Sequence, residues 1–79
     1  LTRWLASTLA PGIRVNMVSP GGIERKQPTE FVARYSRKTP LGRMGTEADL
    51  LGVTTFLLSE AANYVTGQNV HVDGGFSGL

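Results

Sequence analysis

The residues of this chain best suited to chemistry follow a short apolar run in its first third. Ser19-Pro20-Gly21-Gly22 combines residue types that disfavour regular structure and favour a sharp turn with an exposed backbone. Because glycine has no Cβ, another group can come close to the backbone of such a turn. The pattern therefore predicts a turn that a ligand approaches closely.

Basic residues are concentrated in the same part of the chain. All eight Lys and Arg residues lie between Arg3 and Arg43, where only Glu24 and Glu30 offset them, although the net charge of the chain is only +2. A basic half can meet phosphates, either of a nucleotide cofactor or of a nucleic acid. A solvated surface with scattered charge is an equally good interpretation.

The composition limits the remaining kinds of site. A chain of 79 residues can form one small domain, and without cysteine it has neither disulfides nor cysteine-based metal sites. His71 is the only histidine and has no second ligand at useful spacing, so we expect a surface or interface position and no metal. No apolar run approaches the roughly 20 residues that span a bilayer, and we expect a cytoplasmic protein without membrane contact.

Hydrophobic periodicity predicts the elements around the turn. Apolar residues at four-residue spacing predict the end of a helix over residues 1–10, closed by Pro11-Gly12. Residues 13–18 alternate between apolar and polar types, which predicts a strand that runs into the turn.

The second half of the chain predicts two helices and another strand. Residues 28–38 have the spacing of a short amphipathic helix. Thr46 and Asp49 form a T-x-x-D capping signal ahead of a helix at 47–58. Residues 68–73 alternate again and predict a half-buried strand near a sheet edge. A right-handed crossover between two parallel strands is the simplest packing, and further sheet would have to come from upstream or from a partner.

Three stretches, in this order and spacing, together resemble the short-chain dehydrogenase/reductase family. They are Leu9-Ala10-Pro11-Gly12-Ile13-Arg14-Val15-Asn16, Val18-Ser19-Pro20-Gly21-Gly22-Ile23, and Val65-Thr66-Gly67-Gln68 running to Val72-Asp73-Gly74-Gly75. The resemblance covers nearly the whole chain and implies an α/β fold, the C-terminal part of a Rossmann-type doubly wound parallel sheet. Residues 1–79 would then be one segment of a single oxidoreductase domain whose N-terminal dinucleotide-binding part is absent from this chain.

The resemblance also implies a cofactor site. In this family a strand that ends in Pro-Gly carries the backbone that lies along the nicotinamide ring and its carboxamide. That backbone maps onto Pro20, Gly21, Gly22 and Ile23, so NAD or NADP is the expected cofactor. Arg25 stands where the family usually has a Thr, and the expectation therefore depends on the backbone contacts.

The segment after this turn is expected to cover the substrate. The family's substrate loop corresponds to Glu24–Lys38, which we expect to be the least ordered part of the chain without ligand. The candidate substrate residues are Arg25, Gln27, Phe31 and Tyr35. The aromatic pair could close over an apolar part of an alcohol or carbonyl compound, while the polar pair could meet hydroxyls or an anionic group.

None of the family's catalytic residues is found in this sequence. The family uses a Ser and a Tyr-x-x-x-Lys pair, and the pair comes before the Pro-Gly strand. Tyr35-Ser36-Arg37-Lys38 follows that strand and its spacing is one residue short, so Tyr35 is assigned no catalytic role. The parent protein is expected to transfer hydride, whereas the 79-residue chain alone is expected to be inactive.

In this family the helix that corresponds to residues 1–10 of this chain and the last helix and strand commonly form subunit contacts. Trp4, Phe56 and Phe76 are therefore candidates for the buried surface of a homodimer or homotetramer. Ordinary placement in the core of one subunit is an equal alternative.

A second interpretation concerns a different motif. Gly42-Arg43-Met44-Gly45 lies between two predicted helices and fits the G-x-x-G loop of a KH module that binds single-stranded nucleic acid. That interpretation does not explain the Pro-Gly-Gly turn or the Asp-Gly-Gly run, so no nucleic-acid partner is expected.

Overall fold

The chain folds as two parallel strands joined through two helices in a computed structural model, which describes residues 1–78. The elements are α1 (Thr2–Leu9), β1 (Met17–Pro20), α2 (Thr29–Lys38), α3 (Glu47–Leu58) and β2 (Asn69–Val72), with short 3-10 turns at Glu60–Ala62 and Phe76–Gly78. Met17 pairs with Asn69 and Pro20 with Val72 in parallel register. The α/β prediction and the parallel pairing are confirmed.

The helices lie where the sequence predicts them. α3 occupies the predicted span 47–58, and at its start the Thr46 N–H donates to Asp49 Oδ2 at 2.7 Å. This is the Asp half of the capping signal that the T-x-x-D spacing indicated. α2 begins directly after Pro28, whose fixed φ suits a helix start.

The first strand is displaced from its predicted position. Alternation predicted a strand over residues 13–18, whereas the strand is Met17–Pro20. Before it, the Gly67 N–H still donates to the Val15 carbonyl at 2.7 Å, but at the next residue a side chain makes the cross-strand bonds. Asn16 Nδ2 donates to the Val65 carbonyl at 3.0 Å, and the Gln68 N–H donates to Asn16 Oδ1 at 3.1 Å. The predicted start was wrong because alternation alone does not reveal where a side chain takes over the pairing.

Pro20 lies inside β1, although it has no N–H to donate to the ladder. The Met17 N–H donates to the Gln68 carbonyl at 2.8 Å, and the Gly21 N–H donates to the Val72 carbonyl at 3.0 Å. Alternate amides of β1 therefore point at β2. Pro20 is out of phase with them, so its nitrogen faces away from β2 and no bond to that strand is lost. The strand can continue up to the two glycines.

Few apolar side chains are buried within residues 1–78. The buried ones are Ala6, Met44, Leu57 and Ala62. Trp4 is 64% exposed and Phe56 is 44% exposed, and neither is in the core of this chain. Both therefore fit the predicted subunit surface, and the oligomer itself stays a prediction.

No helix in this part of the chain has the length and apolar character needed to cross a membrane.

Candidate functional site

The predicted cofactor residues lie where the carboxyl ends of the two strands meet. Pro20 ends β1, and Asp73 follows the last residue of β2. The two ends are in direct contact: a Cβ placed on Gly21 would lie 2.6 Å from Cβ of Asp73. In open α/β sheets ligands bind at this edge of the sheet. Packing against Asp73 therefore already requires a residue without a Cβ at position 21.

Both backbone polar groups of Gly22 have partners within the chain. Its N–H donates to the hydroxyl of Tyr35 at 2.7 Å, and its carbonyl accepts from the Gly45 N–H at 2.8 Å. A Cβ on Gly22 would lie 2.5 Å from Cζ of Tyr35. The sequence suggested a glycine here to make room for a ligand ring, but the nearest obstacle is a tyrosine of the same chain.

Ile23 differs from Gly22 in the direction of its backbone groups. It forms an isolated parallel bridge with Gly45, in which Gly45 bonds to residues 22 and 24. In such a bridge the N–H and carbonyl of Ile23 point away from Gly45. The Ile23 carbonyl accepts from Gln27 Nε2 at 3.0 Å, while its N–H finds no acceptor within residues 1–78. One backbone donor of the turn is thus available to a group from outside residues 1–78.

The two predicted aromatic substrate residues lie together on α2. The rings of Phe31 and Tyr35 are 6.1 Å apart, and Tyr35 also stacks on Phe76 at 4.9 Å and 14°. With Arg34 and Lys38 these three aromatics line an open cavity of about 340 Å³. Phe76, a candidate for the subunit surface, is half-buried by this stack inside the chain. The hydroxyl of Tyr35 is already engaged with Gly22.

The two predicted polar substrate residues are bound to other groups of the chain instead. Gln27 Oε1 accepts from the Arg25 N–H at 2.6 Å, while the amide nitrogen of Gln27 is bound to the Ile23 carbonyl. The Arg25 guanidinium pairs with Glu47 at the start of α3, and this hydrogen bond lowers the pKa of the Glu47 carboxyl. Neither side chain lines the aromatic cavity. Of the four candidates, only Phe31 and Tyr35 line the aromatic cavity.

An ion pair that the sequence did not predict lies beside Gly45, the residue that bonds to the Gly22 carbonyl. Arg43 contacts both carboxylate oxygens of Asp49, at 2.8 and 2.9 Å. These bonds and the Thr46 N–H hold the pKa of Asp49 well below its usual range. The pair borders a cavity of about 130 Å³ that also touches Gly45 and Asp73 but none of residues 20–23. The T-x-x-D signal identified the cap, but not the arginine partner.

No metal-binding cluster is found in the part of the chain that the structure describes. His71 is exposed on β2. Within residues 1–78 no group of three His, Cys, Asp or Glu side chains is close enough together to hold an ion.

Comparison with known proteins gives matches over nearly the whole chain. The family model described as enoyl-(acyl carrier protein) reductase matches residues 1–77. A 3-oxoacyl-[acyl-carrier-protein] reductase from Buchnera aphidicola is 43% identical over 76 residues, which are 90% of this chain and 31% of that protein.

Solved structures give the same result. A short-chain dehydrogenase from Leptospira borgpetersenii with bound NAD⁺ has a TM-score of 0.92 at 55% identity, over 96% of this chain and 30% of that one. A gluconate 5-dehydrogenase from Burkholderia cenocepacia, in complex with NADP and tartrate, has a TM-score of 0.89 at 32% identity, over 99% and 33%.

This chain therefore spans about a third of the length of the proteins that it matches. The three relatives named above are oxidoreductases by name, and they give no support to a KH module. Their fold confirms the Rossmann-type prediction for these residues. The matched model, the sequence identities and the structural superpositions show that the chain belongs to the short-chain dehydrogenase/reductase family.

Proposed function

We propose that this chain supplies the nicotinamide-facing turn of an oxidoreductase that transfers hydride between NAD or NADP and an alcohol or carbonyl compound. The observation that carries the proposal is the outward N–H of Ile23 at the carboxyl edge of two parallel strands. The relatives with bound NAD⁺ and NADP support the choice of cofactor.

The turn fits a nicotinamide carboxamide in its hydrogen-bonding groups. A carboxamide carries one acceptor oxygen and a donor NH₂ group. The Ile23 N–H would donate to the oxygen. The Ile23 carbonyl, which Gln27 Nε2 already contacts, has a second lone pair for the NH₂ group. Pro20, Gly21 and Gly22 would present backbone rather than side chains to the ring.

The residues of this chain would bind the cofactor and shield the substrate in the proposed enzyme, and would not transfer protons. The cofactor, when bound, supplies or accepts the hydride at its nicotinamide ring. The turn at residues 20–23 binds and orients that ring, while Phe31 and Tyr35 on α2 exclude water from the substrate side. The acid/base residues would come from outside residues 1–79, so this segment alone would not catalyse the reaction.

The same proposal covers the substrate and the assembly. Arg25 and Gln27 would meet polar groups of the substrate only after leaving their present partners, Glu47 and Ile23. The exposed Trp4 and Phe56 would be covered in a homodimer or homotetramer. The absence of cysteine from the sequence fits a reducing compartment such as the cytoplasm.

Amide hydrogen exchange on the full-length protein tests the proposed contact. We expect NADH or NADPH to slow exchange of the Ile23 amide by about tenfold, because a hydrogen-bonded amide exchanges only when the bond opens. ADP-ribose, or its 2′-phosphate, should leave that amide unchanged because it lacks nicotinamide. If the reduced cofactor binds and the Ile23 amide exchanges as before, the contact does not exist.

A further inference from the structure

Tyr35 joins the two segments that follow the parallel strands. Its hydroxyl accepts the Gly22 N–H, after β1, at 2.7 Å. Its ring stacks on Phe76, after β2, with 4.9 Å between centroids and 14° between planes. The side chain comes from α2, 13 residues along the chain from Gly22. A helix of the substrate loop therefore holds the turn from one side.

The hydrogen bond from the Gly22 N–H to the Tyr35 hydroxyl limits the backbone conformation of Gly22. Glycine adopts a wider range of backbone conformations than other residues, so Gly22 does not fix its own peptide planes. Tyr35 fixes the N–H of Gly22 and Gly45 fixes its carbonyl, at 2.7 and 2.8 Å. The Ile23 N–H lies in the same peptide plane as the Gly22 carbonyl, so the bond to Gly45 sets its direction. The bond to Tyr35 fixes the preceding peptide plane, so the two planes on either side of the Gly22 Cα are both held. Removal of the hydroxyl would release one of them.

We propose that Tyr35 is a positioning residue for the nicotinamide, acting through its hydrogen bond to Gly22 to aim the Ile23 N–H at the carboxamide. This inference rests on the proposed function. Tyr35 touches neither cofactor nor reacting atoms in this role and transfers no proton. Its ring also lines the cavity with Phe31, so the same residue links the substrate side of the loop to the cofactor side.

Tyr35→Phe in the full-length protein tests the proposal, because it removes the hydroxyl and keeps the ring on Phe76. In the cofactor-free protein we expect the Gly22 amide to exchange at least about tenfold faster. Affinity for NADH or NADPH, measured by calorimetry, should fall about tenfold, the size expected when a half-buried donor loses its partner. Affinity for ADP-ribose or its 2′-phosphate should not change.

Tyr64→Phe is the matched control, since Tyr64 is fully exposed. It should change neither the exchange nor either affinity. Unchanged affinity for the reduced cofactor in Tyr35→Phe would overturn the positioning role, whatever happens to thermal stability. An equal loss for ADP-ribose would overturn it too, because that pattern is general destabilisation. A wild-type protein that binds neither NADH nor NADPH would instead overturn the proposed function, and this inference with it.

Discussion

Replacing Gly22 with valine should lower turnover of the full-length enzyme about a hundredfold, the effect of displacing a reacting group by about 1 Å. A Cβ at this position lies 2.5 Å from Cζ of Tyr35, so the tyrosine must move and its hydroxyl must leave the Gly22 N–H. Overpacking of this kind typically costs about 1–3 kcal/mol of the free energy of unfolding. Steady-state kinetics and urea unfolding of the purified variant measure the two losses.

A double variant shows whether the tyrosine is the obstacle. Tyr35→Ala opens the space that the valine needs, so Gly22→Val combined with Tyr35→Ala should lose less stability than the two single variants added together. Turnover should stay low in the double variant, since the hydrogen bond to Gly22 is still missing. Strictly additive losses of stability would contradict the clash. Wild-type turnover in a folded Gly22→Val protein would contradict the assignment of the turn to the nicotinamide.

Replacing Gly74 with alanine should cost about 2–5 kcal/mol of the free energy of unfolding. The backbone of Gly74 has φ +64°, a conformation that costs about 1–2 kcal/mol in a residue with a side chain. The new Cβ would also lie 2.7 Å from Cγ2 of Thr39, which is buried, and this clash adds about 1–3 kcal/mol. Urea unfolding of the full-length protein measures the sum.

Gly42→Ala separates the two contributions. Gly42 has φ +79°, and a Cβ there meets nothing within 4 Å in residues 1–78. The variant should therefore lose only the backbone share, about 1–2 kcal/mol. If Gly42→Ala and Gly74→Ala lose the same amount, the contact between Gly74 and Thr39 contributes nothing.

Most of the fold could be predicted from the sequence because the residues that determine each helix and strand lie close together along the chain. The helix at 47–58 follows from Thr46 and Asp49, which cap it within one turn. The parallel sheet followed from the order of the elements and from motifs that the family shares. The start of β1 was missed since the side chain of Asn16, a polar residue with no pattern of its own, makes the cross-strand bonds just before Met17.

The site was accessible only in part because its contacts join distant residues. The Pro-Gly-Gly turn can be recognised in the sequence, but nothing local indicates that Tyr35 fills the space beside Gly22. Periodicity placed Phe31 and Tyr35 on one face of α2, where they do lie together. It could not show that Arg25 is paired with Glu47, because this contact joins the loop after β1 to the start of α3, 22 residues along the chain.

Deuterium transfer tests the oxidoreductase function most directly. The full-length protein is incubated with NADH or NADPH deuterated at C4 of the nicotinamide, each of the two faces being labelled in a separate sample, together with a panel of ketones and aldehydes. With one of the two labels we expect an alcohol that carries one deuterium at the former carbonyl carbon, formed in equal amount with oxidised cofactor, the hydroxyl proton coming from water. A folded protein that consumes neither cofactor with any carbonyl compound, or an alcohol formed without deuterium from either labelled face, would contradict it.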